Sequence, residues 1–198
     1  MNKENNDKAD STNKHAEETN VTKKKYLRFG AMIATSMVVM YMTTYVNTYQ
    51  LSHIQWSETR FFMTLLMGST MAIIMLGYML GMYKSVKVNT GIVLASIGIF
   101  VLGTFLVRSQ VTVGDESWMR AMIPHHSIAI LTSENANIED VRVCELAAEI
   151  IEAQKREIDE MKWLINDINE NGVATTAEAA DMRAVPEFGG DAIRQCAQ

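Results

Sequence analysis

At 198 residues and a mean hydropathy of zero, the chain is balanced only because its segments cancel. Residues 1–25 are polar and 27–107 overwhelmingly apolar; 115–198 carry 17 Asp+Glu against 7 Lys+Arg, a formal charge of −10 where the whole chain has −5. That acidic end argues against nucleic acid as a partner and suits cations.

Residues 1–22 are rich in Asn, Lys, Asp, Glu and Thr and nearly devoid of aliphatic side chains, so residues 1–25 read as a disordered cytoplasmic tail. Three apolar runs follow, 27–49, 61–83 and 88–107, each with about the 20 residues a helix needs to cross hydrocarbon. Residues 26–108 therefore read as a three-span membrane anchor. The first run is too long for a typical signal peptide and shows no clear small-residue cleavage site, so it reads as a retained span.

Basic residues orient the anchor. Lys23, Lys24, Lys25 and Arg28 precede the first run and Lys84 and Lys87 join the second to the third, against Arg60 and Arg108 on the other side. This places the amino terminus in the cytoplasm and residues 109–198 beyond the membrane. Tyr26, Tyr45, Tyr49, Trp56 and Tyr83 sit near the span ends, as interfacial aromatics do. Met63, Met67, Met71, Met75 and Met79 recur every fourth residue and are expected to pack rather than to pass metal along. Gly77-xxx-Gly81 suggests a close helix approach, and His53 reads as a solvated loop residue.

Beyond Arg108, a helix is expected from Asp115, capped by Asp115 or Ser117, to about Ser133, kinked at Pro124. Asn137 would cap a second helix running from about Ile138 to Asn169, with Asn171-Gly172 stopping it. Residues 115–170 thus form a two-helix hairpin and 171–198 a mobile tail. Leu146, Ala147, Ile150, Ile158, Met161, Leu164, Ile165 and Ile168 make the apolar face of the second helix. Cys144 and Cys196 lie 52 positions apart without metal-like spacing; a long-range disulfide and two separate thiols both remain open.

The run Met119-Arg-Ala-Met122-Ile-Pro-His125-His126 carries the chemistry. On a helix, Met119, Met122 and His126 share an arc of roughly 60°, with His125 at its edge. Thioether and imidazole together suit Cu(I) better than oxygen-seeking Ca²⁺ or Mg²⁺, and better than Zn²⁺. The plainer reading makes the methionines core filler and the histidines surface residues. Gln154, Glu157 and Met161 fall on one face of the second helix, where a buried Glu157 would need a cation, a histidine, a metal or water.

Asp115, the Met119–Ile130 block with its Pro124-His125-His126, and the Leu146–Met161 block with Gln154 and Glu157 resemble domain-of-unknown-function family 305. That is a ferritin-like, copper-associated family of bacterial envelope proteins. The resemblance covers residues of about 115–168, roughly a quarter of the chain. It implies Met119, Met122, His125, His126 and Met161 as copper ligands, with Gln154, Glu157 and Asp115 around them. The family often has a further Met where Leu131 stands here. Its longer members have two hairpins in a four-helix bundle, so a lone hairpin implies a homodimer.

The expected architecture is all-α: three transmembrane helices followed by an extracytoplasmic ferritin-like half-bundle. The expected function is Cu(I) buffering or delivery to partner proteins at a bacterial cytoplasmic membrane, without catalysis. A structural or partner-binding membrane protein is the rival reading. A di-metal oxidase fits less well, since no Glu-xx-His pair is present.

Overall fold

The computed structural model describes residues 2–189 and Cys196, with side chains from Thr19 onward. Among these residues the chain is all-α, with α1 (Asn2–Thr43), α2 (Glu58–Tyr78), α3 (Val86–Ser109), α4 (Asp115–Asn135), α5 (Val141–Asn171) and α6 (Ala177–Asp181). The segment expected to be disordered is helical from Asn2. No Pro or Gly precedes Gly30, so nothing in the sequence stops the helix from extending back out of the apolar part.

Among the described residues, two helices are long and apolar enough to cross a membrane: α2, with mean hydropathy 1.7, and α3, with 2.3. The run at 27–49 is not one such helix. α1 ends at Thr43 and turns follow, so only the part through Thr43 is helical, and Arg28, Thr35 and Ser36 dilute it.

The chain divides into two compact units. The first comprises residues up to 41 with 62–108. Its core is Phe29, Leu76 and Tyr83, with Ile33, Met75, Met79 and Ile92 packed against them. Met75 and Met79 therefore fill space, whereas Met63 and Met67 of the same stripe are exposed. The close approaches fall elsewhere than expected: Gly68 lies against Met37 and Gly103 against Leu66, while Gly77 and Gly81 face open space. α2 has ended at Tyr78, so Gly81 is not on the helix at all.

The second unit comprises residues 42–61 and 109–198. Here α4 and α5 form the hairpin around Met119, Ile123, Ile130, Ile151, Ile158, Met161 and Ile165. α4 runs unbroken through the buried Pro124, and its amino-terminal cap is Gly114 rather than Asp115 or Ser117. α5 is capped by Asp140, which accepts from the Arg142 amide, and so starts later than Asn137 would allow. Gly172, at φ 76°, ends it as the sequence suggested.

The buried face of α5 is phased differently at its start. Leu146, expected inside, is 54% exposed, whereas Ile151 is fully buried. The stripe Cys144, Ala147, Ile151, Ile158, Met161, Ile165 keeps the steps of three, four and seven residues that a single helix face requires.

The carboxy-terminal segment, expected to be mobile, is tied back. Cys144 and Cys196 form a disulfide, and Arg183 holds Asp167 at 2.8 Å and donates to the Gly172 carbonyl at 3.2 Å. Thr176 caps α6 by accepting from the Ala179 amide.

All three tryptophans, Trp56, Trp118 and Trp163, belong to the second unit, so intrinsic fluorescence reports its unfolding alone. Ile151→Ala is expected to lower its stability by about 2–4 kcal/mol through cavity formation. Leu146→Ala should change it by less than about 0.5 kcal/mol. Denaturant titration of the full chain in detergent micelles, followed by tryptophan emission, measures both.

Candidate metal site at the histidine pair

α4 and α5 bring together most of the residues singled out in the sequence. Met119 and Met161 are buried in the same apolar cluster, and the half-buried Met122 packs against it. On the adjoining turn of α4, His126 faces α5, its Nδ1 lying 3.1 Å from Glu157 Oε2. The pair meets off the line of a ring N–H hydrogen bond, leaving Nδ1 buried without one. The His126 side chain is 14% exposed and Glu157 41%. Glu157 thus escapes the cost of full burial by keeping one edge in water.

Because the two helices run antiparallel, four residues back from His126 and four on from Glu157 reach the same level, about 6 Å along the axis. Those residues are Met122 and Met161. Two thioethers therefore follow the imidazole–carboxylate pair by one turn, with Met119 a turn further.

Burial lowers the pKa of His126, and the neighbouring His125 lowers it further; Glu157 opposes them. The ring is accordingly held toward its neutral, metal-competent form. Nδ1 is turned to Glu157, which leaves Nε2 as the nitrogen free to ligate. His125 is exposed, its ring centroid 6.2 Å from that of His126. Gln154 is half-buried on α5. Asp115 lies outside the cluster: it is exposed in the first turn of α4, eleven residues and roughly 16 Å along the axis from His126.

Among the described residues no three His, Cys, Asp or Glu side chains are grouped to hold a metal ion. Residues 106–191 match a family model described as a domain of unknown function (DUF305).

The carboxy-terminal segment is similar to that family. The match is wider than residues 115–168, reaching from within α3 past α6. The chain is also similar to "Uncharacterized protein L153" of Acanthamoeba polyphaga mimivirus, 28% identical over 144 residues, covering 69% of this chain and 93% of the relative. No solved structure matches.

The DUF305 segment does not close its own core. The connector between α1 and α2, outside the matched residues, packs onto it with a short 3₁₀ turn at Leu51–His53. Ser127, fully buried on α4, accepts the Tyr49 amide at 2.7 Å and stands 2.9 Å from His53 Nδ1. Arg120 donates to Gln55 Oε1 at 2.7 Å, and Tyr49 packs on the isoleucine core. His53, read from sequence as solvated, is only 5% exposed. A lone histidine in a polar connector carries no periodicity, so nothing local announced its burial.

Burial lowers the pKa of His53; Lys162 adds to the shift and Asp159 opposes it. The folded value thus lies below the unfolded one of about 6.5. Above that pH both states are neutral and folding is unaffected. As the pH falls below it, the unfolded chain takes up the proton first and the second unit loses stability. Tryptophan-monitored unfolding should show the midpoint dropping between pH 7 and 5, with a smaller drop in His53→Gln. An equal drop in both proteins would remove His53 as the cause.

Proposed function

We propose that the protein is a membrane-anchored metal-binding protein whose DUF305 hairpin takes a soft cation, Cu(I) before others, to buffer it or hand it on. The observation that carries this reading is a desolvated His126 whose Nδ1 meets Glu157, with Met122 and Met161 one helical turn away. Thioether sulfur and neutral imidazole are ligands that Cu(I) accepts and that hard cations refuse. Glu157 would orient the ring from its far side, as carboxylates do behind metal-binding histidines. His125, at the exposed edge, is placed to receive or release the ion. The reading includes no catalytic step.

In this proposal α2, α3 and the apolar half of α1 are the three spans of a bacterial cytoplasmic membrane anchor. The amino terminus is cytoplasmic and the hairpin lies on the outer side. Basic residues before Phe29 and between α2 and α3 support that orientation, and a disulfide suits an oxidising compartment. A second copy completing a four-helix bundle is part of the same proposal, as is a metal-handling partner protein that donates or receives the ion.

A structural reading also has an observation in its favour. Met119 and Met161 are 3% and 5% exposed among isoleucines, as filler would be. Cu(I) titration of the full chain in micelles against a competing chelator separates the two. Tight binding that is lost in Met122→Leu/His126→Ala and weakened about 10- to 100-fold in Glu157→Gln supports the site. Affinity should also fall as acid protonates His126, with the loss setting in below the ordinary histidine range because burial lowers its pKa. Binding that is absent, or identical in all three proteins, leaves the structural reading. Alkaline carbonate extraction of membranes tests the anchor separately.

A further inference from the structure

We infer that the basic end of the first unit binds one anionic phospholipid, its phosphate against Lys23 and Lys24 and the head of its acyl chain along Leu27 and Val88. The inference rests on the proposed membrane anchoring and adds a ligand to it.

Residues 19–30 and 84–89 contain Lys23, Lys24, Lys25, Arg28, Lys84 and Lys87 and no Asp or Glu. All six cations are exposed, and none forms an ion pair among the described residues. The two stretches belong to one end of the unit because Tyr26 ties them together. Its hydroxyl donates to Asn89 Oδ1 at 2.7 Å and accepts the Ser85 amide at 3.2 Å. Asn89 in turn donates to the Tyr83 carbonyl at 2.7 Å, and the Tyr26 and Tyr83 rings lie 5.0 Å apart.

Beside this brace is a cleft of about 860 Å³ with two kinds of wall. Asn20, Thr22, Lys23 and Lys24 supply donors and positive charge, while Leu27 and Val88 supply an apolar side. Val88 opens the apolar surface of α3, so the cleft passes from a headgroup environment to a hydrocarbon one. A free phosphate would use only the first wall; a phospholipid uses both. A cluster of this size at a span end, with no ion pair among the described residues, is also what an anionic leaflet attracts, at roughly fivefold in affinity per basic residue.

Native mass spectrometry of the full chain, released from micelles containing equimolar phosphatidylglycerol and phosphatidylcholine, tests the site. Retention of phosphatidylglycerol over phosphatidylcholine by roughly tenfold or more is expected, falling to within about threefold in Lys23→Gln/Lys24→Gln. Arg156→Gln, in the second unit, should leave the preference unchanged. Equal retention of the two lipids, an unaltered preference in the double variant, or displacement of the lipid by excess inorganic phosphate overturns the proposal. If the chain stays in the carbonate-resistant membrane pellet while showing any of these, only the lipid site is lost. Recovery in the carbonate-soluble fraction removes the anchor and the lipid site together.

Discussion

The second unit depends on the hydroxyl of Ser127. It lies on the buried face of α4, where an unsatisfied polar group costs about 1–3 kcal/mol, and both of its partners come from a connector more than 70 residues earlier. The connector gains as well: the bond supplies a partner to the Tyr49 amide and to the buried His53 ring. Each side removes the other's desolvation cost. This reciprocity makes a loop between two apolar helices a structural part of a hairpin that begins more than 50 residues later.

The same trade recurs one residue away. Desolvation lowers the pKa of His126, and Glu157 lies beside it with one edge in water. A fully buried pair would carry a heavy solvation penalty; a fully exposed one would hold the ring loosely. Packing thioethers on the next turn gives the apolar cluster its only polarizable members near that pair. Core filler and soft ligand are the same atoms here, so burial alone does not distinguish the roles; metal affinity does.

In the first unit, tyrosine does the work that Ser127 does in the second. Tyr26 joins α1 to the start of α3 through Asn89 and Ser85, and its ring rests on Tyr83. Such a brace holds together an end where six like charges gather, none of them ion-paired among the described residues.

The sequence by itself determined the all-α class, the division into polar, apolar and acidic parts, the stop of α5 at Gly172, and the shared face of Met119, Met122 and His126. Each follows from composition or from a period of 3.6 residues, which are local properties. The meeting of His126 with Glu157 was legible as well, since an acidic residue on an apolar face demands a partner. Tertiary structure alone decided the burial of His53, the connector's place on α4, the inward turn of Ile151 in place of Leu146, the Cys144–Cys196 bridge and the exclusion of Asp115. These depend on contacts between residues far apart in the chain, and on which of two nearly equivalent helix faces a neighbour happens to cover. No local pattern encodes that choice; the packing of the whole unit does.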